Sequence, residues 1–414
     1  MPIINKIATI LFLDLINYRG KLLKLKLFCV KNSVVSDYSY TNFNTDQEKK
    51  GKTPVKPRVL VAPLDWGLGH ATRCIPVIRE LLAQGCEVWL AAEGATEKLL
   101  KLEFSDLPLL PLPGYRMQYS NTAKGFIWRI LSQLPKIRSA VKKEHLWLEK
   151  QIREYEFDAV ISDNRFGLYH ENVPCVFITH QLNIKSPFGK WSEKILQRWN
   201  YGYINRFKEC WVPDIADEHN LAGDLSHPLN KPKTPVHYIG LLSRLTEENI
   251  AERNGHLLFI LSGPEPQRTI FENKLIDELV HYNGTADVIR GLPASDFILP
   301  STNHIRFYNH LPAEGVSGKI VEAEFVISRT GYSTVMDLIH LKKKSILIPT
   351  PGQTEQEYLA GHLTKNKIAY CQQQHDFSIQ TSLKEAREFS YQFPTISNNS
   401  LKETIQRFLF GLKK

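Results

Sequence analysis

Residues 325–360, FVISRTGYSTVMDLIHLKKKSILIPTPGQTEQEYLA, constrain the fold of this chain more than any other stretch. They open on an apolar run, Phe325-Val326-Ile327, bounded by polar residues, which reads as a buried strand. A turn with one glycine and several hydroxyls follows, Arg329-Thr330-Gly331-Tyr332-Ser333-Thr334. Val335, Met336, Leu338, Ile339 and Leu341 then lay an apolar stripe at helical spacing. A second strand is expected at Ser345-Ile346-Leu347-Ile348, then a Pro-Gly loop, then a helix holding Glu355, Gln356 and Glu357. Strand, turn, helix, strand, loop, helix is half of a doubly wound α/β domain. In such sheets ligands bind at the carboxyl ends of the strands, where the polar residues of this stretch fall.

The same grammar starts twice. A first strand at Arg58-Val59-Leu60-Val61-Ala62 runs into Gly67-Leu68-Gly69-His70, and a helix carrying Ile75, Val77, Ile78, Leu81 and Leu82 follows, stopped by Gly85. Further strands are expected at 86–92, 158–163, 175–180, 209–213 and 236–240. A second strand–glycine loop–helix unit begins at 256–261 with Ser262-Gly263 and a helix over 267–280, continued by strands at 286–290 and 305–308. The chain therefore divides into an extension and linker (1–57), a first α/β domain (58–243), a second (244–392) and a closing amphipathic segment (393–414), with the hinge near 241–255.

Composition only bounds the function. The net charge of +9 permits nucleic acid, an anionic membrane or anionic small molecules and selects none of them. The six cysteines have no zinc-site or CxxC spacing, which points to reduced thiols and no structural metal. No apolar run reaches the length of a spanning helix. The segment 124–143 interleaves Lys124, Arg129, Lys136, Arg138, Lys142 and Lys143 with Phe126, Trp128 and Leu131 and holds no acid. It reads either as a basic amphipathic surface against an anionic membrane, interrupted by Pro135, or as a solvated helix face. No nucleic-acid motif accompanies it.

Several residues fall where a cleft between the domains would lie. Gly67 and Gly69 let the backbone approach a ligand, and His70 beside them has the neutral-range pKa of a proton acceptor; Asp65 could orient its ring. Asp163 and His180 end two strands of the first domain, placed for catalysis with His70 or for the acceptor. Ser262 and Gly263 open the second domain, and Arg268 after them could meet a phosphate. Arg329, Gly331, Tyr332, Ser333 and Thr334 form a pyrophosphate cradle at a helix start, and Asp337, one turn on, could accept ribose hydroxyls. Glu355 and Gln356 could hold a sugar. Each of these also has a plain reading as a capped turn or a solvated face.

About residues 58 to 390 together resemble the GT-B glycosyltransferases: two Rossmann-like, doubly wound parallel-sheet domains facing a cleft. Within them the chain resembles glycosyltransferase family 28, the MurG-like family. The motif from Arg329 to Asp337 resembles R-x-G-x-x-T-x-x-E, Gln356-Glu357-Tyr358 resembles Q-Q-Y, and Gly67-Leu68-Gly69-His70 with Pro76 resembles G-x-G-G-H…P. The resemblance implies a metal-independent, inverting transfer of a sugar from a nucleoside diphosphate donor, a UDP-sugar, with no resident cofactor. It implies His70 at the reaction centre, as general base or acceptor orienter, the backbone at 332–334 on the diphosphate, Asp337 on the ribose and Gln356 on the sugar. It also implies cell-envelope work in the cytoplasm, with peripheral contact on the inner membrane face through 124–143. Asp337 and Glu357 depart from the family pattern, and the acceptor half does not identify a substrate. Two alternatives stay open: a UDP-sugar 2-epimerase of the same architecture, and an inactive nucleotide-sugar-binding protein.

Overall fold

The computed structural model describes residues 56–115, 134–246, 248–263, 265–293, 295–396 and 399–412, all within one compact unit, Val55–Lys414. The expectations for the N-terminal extension up to residue 55 and for the first half of the basic segment, 124–133, fall outside the described residues.

The first domain is a seven-stranded, wholly parallel sheet of β1 (Arg58–Pro63), β2 (Glu87–Ala92), β3 (Leu109–Pro111), β4 (Ala159–Asp163), β5 (Cys175–Ile178), β6 (Glu209–Val212) and β7 (Val236–Tyr238), in the order β3-β2-β1-β4-β5-β6-β7. The second is a six-stranded parallel sheet of β8 (Arg253–Ile260), β9 (Thr285–Ile289), β10 (Ile305–Tyr308), β11 (Ala323–Arg329), β12 (Ser345–Ile348) and β13 (Tyr370–Cys371), in the order β10-β9-β8-β11-β12-β13. Both are doubly wound. Their strand order reverses between β1 and β4, and between β8 and β11, which puts a binding crevice at each reversal.

The strands are apolar on both faces because helices cover both. Val59, Val61 and Ile161 join one apolar layer, while Leu60, Val160 and Phe177 join the opposite one, as the two-residue period of a strand requires. In the second sheet Leu258, Val326 and Leu347 face inward and Leu257, Phe259 and Ile327 outward. The inward layers of the two sheets form one continuous core. Helix α1 (Leu68–Ala83) contributes Ala71 and Ile75 to it from the first domain. From the second, α7 (Tyr332–His340) contributes Val335 and Ile339.

The other helices are α2 (Gly94–Glu103), α3 (Leu134–Tyr155), α4 (Lys190–Ile204), α5 (Gln267–Leu279), α6 (Ala313–Glu322), α8 (Thr354–Lys365), α9 (Ile379–Glu388) and α10 (Ser400–Leu412). Pro135 does not kink α3. It lies in the first turn, where a missing N–H costs no helical bond. Helix α10 leaves the second domain and returns to the first: Phe408 packs edge-on to Trp211 at 5.5 Å, and Arg407 meets Glu209 at 2.7 Å.

Candidate active site

Three helix N-termini meet where the carboxyl ends of the two sheets face each other. Helix α1 begins after Gly67, α7 after Gly331 and α8 after Gln353. Ser333 Oγ of α7 donates to Gly69 O of α1 at 2.9 Å, so the first turns of these helices touch. Thr354 Oγ1, at the start of α8, donates to Lys185 O of the first domain at 3.1 Å. Each terminus carries unbonded N–H groups and a partial positive charge, so their convergence favours an anion. Thr330 Oγ1 and Thr350 Oγ1, at the ends of β11 and β12, are buried there without a hydrogen-bond partner.

A line of ionisable side chains crosses this junction. His70 Nδ1 lies 3.2 Å from Asp163 Oδ2 at the end of β4. Asp65 is elsewhere: it accepts from Tyr115 N at 3.1 Å, and Asp163 takes the place beside the imidazole that was expected of Asp65. Arg73, one turn after His70 and almost wholly buried, donates from Nε to Asp163 Oδ2 at 2.8 Å and from Nη2 to Asp163 Oδ1. It also reaches His70 Nδ1 at 2.8 Å and His180 Nδ1 at 3.1 Å. His180 Nε2 lies 2.8 Å from Glu355 Oε1 of α8, Gln181 Nε2 donates to Glu355 Oε2, and the His180 ring stacks on Tyr332 at 4.2 Å.

The charges of this line tune one another. Burial alone would raise the Asp163 carboxyl, but Arg73 and His70 outweigh it and hold the pKa at about 2. Burial and then the charge of Arg73 lower His70 against the pull of Asp163, which favours the neutral imidazole. Burial would raise Glu355 too; its bond to His180 first, and the charge of Arg73, lower it instead. Residues 73 and 181 carried no sequence signal used above. The spacing of Arg73 three positions after His70 puts both on one helix face, which was the available clue.

The donor-side residues divide. Gly331, Ser333 and Thr334 stand at the α7 terminus as expected, while the Tyr332 side chain is buried across the junction, its hydroxyl donating to Pro213 O at 2.8 Å. Asp337 accepts from Ser243 Oγ, between β7 and β8, at 2.6 Å, and burial pushes its pKa up to about 6 against that bond and the charge of Arg244. Gln356 is buried and accepts from Thr350 N at 2.8 Å, next to the unpartnered threonines. Glu357 accepts from Gly352 N at 2.8 Å.

Arg329 does not enter the junction. Its guanidinium donates to Gln267 O at 3.0 Å and lies 4.3 Å from the Phe271 ring centre, inside the second domain. Arg268 is held by Glu265 and Glu272 and is likewise not placed as a phosphate ligand. Ser262 and Gly263 lie in the loop after β8; Gly263 has φ +105°, which favours glycine. A cavity of about 360 Å³ opens between α1, α2 and the loops after β9 and β10, lined by Leu68, Leu99, Leu102, Pro293 and His310 with two lysines of α2. His310 Nε2 is buried and without a partner.

Residues 314–408 match the glycosyltransferase family 28 C-terminal domain. The chain has the GT-B fold, and its C-terminal part is similar to that family. An uncharacterized glycosyltransferase of Methanosarcina acetivorans is 23% identical over 328 residues, covering 72% of this chain and 81% of the relative. A UDP-N-acetylglucosamine–N-acetylmuramyl-(pentapeptide) pyrophosphoryl-undecaprenol N-acetylglucosamine transferase of Rhodopseudomonas palustris is 36% identical over 74 residues, 17% of this chain and 18% of the relative. Among solved structures, the glycotransferase of kitacinnamycin superposes with a TM-score of 0.56 at 12% identity, over 87% of this chain and 96% of its own, a likeness of fold. The family 28 match covers the α7–β12–α8 wall of the junction, and His70, Arg73, Asp163 and His180 of the first domain lie outside it.

Among the described residues one group has metal-ligand types within reach of each other, His256, Asp287 and Glu322. It lies at the amino-terminal edge of the second sheet, away from the junction, and Lys319 Nζ already bonds Asp287 at 2.9 Å and Glu322 at 3.1 Å.

Proposed function

We propose that this GT-B glycosyltransferase moves a sugar, with inversion and without a metal, from a nucleoside diphosphate donor, a UDP-sugar, to an acceptor held by the first domain. The observation that carries the reading is the meeting of the α1 and α7 N-termini at the Ser333–Gly69 contact, beside the His70–Asp163 pair. A diphosphate at those termini takes over the N–H groups and the unpartnered hydroxyls of Thr330 and Thr350. The helix termini then stabilise the charge that grows on the leaving diphosphate, the part a metal plays elsewhere. The nucleobase fits the cavity beside His310, Asp337 holds the ribose, and Glu355 and Gln356 face the sugar. His70 acts on the acceptor hydroxyl with Asp163 behind it. Inversion follows from a single in-line displacement, the acceptor oxygen entering as the diphosphate leaves.

Of the acids that a 2-epimerase would use beside the sugar, Glu357 is turned to Gly352 N, which favours the transferase reading. Peripheral contact with an anionic membrane is supported by exposed Lys136, Lys142 and Lys143 on α3. The start of α4 adds exposed Phe188, Trp191 and Ile195 among Lys190, Lys194 and Arg198. The direct test incubates the protein with a panel of UDP-sugars and lipid extract and follows release of UDP. Release that depends on the extract supports the reading. No UDP binding by calorimetry rules out the UDP-sugar donor, and interconversion of the donor without extract points to an epimerase.

A further inference from the structure

We infer that Arg73 is a positioning residue that sets which nitrogen of His70 carries the proton, holding the imidazole as a hydrogen-bond donor until the ring exchanges Arg73 for Asp163. The inference rests on the reading of His70 as the group nearest the acceptor and adds to it the state in which that group rests.

A guanidinium has only N–H groups, so whatever nitrogen it bonds must accept. Arg73 Nη2 reaches His70 Nδ1 at 2.8 Å and Nη1 reaches His180 Nδ1 at 3.1 Å. Both rings, when they accept from Arg73, carry their proton on Nε2. For His180 this is self-consistent, because its Nε2 faces the Glu355 carboxylate at 2.8 Å and donates to it. For His70 it has a chemical cost. An imidazole with its proton on Nε2 has no lone pair there and cannot take a proton from an acceptor hydroxyl.

Asp163 demands the opposite form. A carboxylate with a pKa held near 2 only accepts, so its approach to His70 Nδ1 at 3.2 Å becomes a hydrogen bond only when Nδ1 is protonated and Nε2 bare. Nδ1 has one in-plane position to offer. Arg73 and Asp163 compete for it, and the shorter contact belongs to Arg73.

The surroundings fix the terms of this competition. The groups facing His70 are Arg73 on its own helix, Asp163 at the end of β4, His180 after β5 and Glu355 from the second domain. Arg73 keeps Asp163 as a two-point partner whichever form His70 takes, so its release of Nδ1 leaves the ion pair intact. Glu355 is the member of the line that comes from the opposite domain, and it reaches Arg73 through His180. Separation of the domains removes that anchor from Arg73, which ties the proton position on His70 to the closed junction.

The test reads the proton directly. In the unliganded full-length protein labelled with 15N-histidine, the His70 signals, assigned by their loss in His70→Gln, are expected in the Nε2–H form. In Arg73→Met they are expected to change to the Nδ1–H form, bonded to Asp163. The acid limb of UDP release moves to higher pH in that variant, because a positive charge beside the ring is gone. Arg73→Lys guards against a folding failure: its ammonium keeps the charge and likewise only donates, so the Nε2–H form is expected to be retained there while Arg73→Met loses it. A wild-type His70 found in the Nδ1–H form overturns the inference, as does an Nε2–H form unchanged in a folded Arg73→Met. The spectrum needs no substrate, so it fails or succeeds apart from the donor assay.

Discussion

Asp337 is asked to serve two ends with one carboxyl. Buried against Ser243, its folded pKa of about 6 lies above the ordinary 3.8. A raised acid stabilises the fold fully below the unfolded value and loses that contribution as pH rises through the folded one. At neutral pH the folded protein therefore carries a charge it resists. Asp337→Asn keeps an acceptor for the Ser243 hydroxyl and removes the charge, so its urea midpoint should exceed that of the wild type at pH 8 and approach it at pH 4. If Asp337 also holds the ribose, the same variant should bind UDP more weakly by about 1–3 kcal/mol in calorimetry. A gain in stability without that loss removes Asp337 from the donor site. At His70, replacement by Ala should lower turnover by roughly 10²–10⁴; full turnover excludes it as the base. His70, Asp163, His180 and Glu355 were each legible from their places at strand and helix ends. Arg73 and Ser243 were not: the partners Asp163 and Asp337 lie 90 and 94 positions away, and only the spacing of Arg73 from His70 gave a local clue.

The strands were readable because helices cover both faces, which makes each strand a nearly unbroken apolar run; most ends fall within a few residues of expectation. The edge strands β3 and β13 escaped, being three and two residues long and only partly covered. Helix α4 escaped because its exposed Trp191 and Ile195 blur the apolar stripe. The α1 entry makes the sharpest prediction at this scale. Gly67 has φ 111° and ψ 166°, a region almost closed to side-chain-bearing residues. Gly67→Ala should cost about 1–3 kcal/mol of stability, seen as a lower denaturation midpoint. Gly69 differs: a Cβ there meets Ser333 Oγ at 3.0 Å, across the junction. Gly69→Val should lower UDP release far more than it lowers the midpoint, since the added methyls wedge α1 from α7 at the junction; a loss of activity no larger than the loss of folded protein would mean a folding defect instead.

At the scale of the molecule the two domains share an apolar layer, and α10 seals its far end with Ile405, Phe408 and Leu409. Phe408→Ala should lower stability by about 3–5 kcal/mol, since it strips the edge-on partner from Trp211 and leaves a void in that layer. Urea unfolding followed by Trp fluorescence reads it; a change under 1 kcal/mol would mean that α10 is only loosely docked.

The return of α10 has a mechanical side as well. The polypeptide passes between the sheets twice, after β7 and again after α9. A body tethered at one point can turn about any axis through it. Tethered at two, it keeps one easy rotation, about the line joining the tethers. The Ser333–Gly69 and Glu355–His180 contacts join the same two bodies and restrain that remaining rotation.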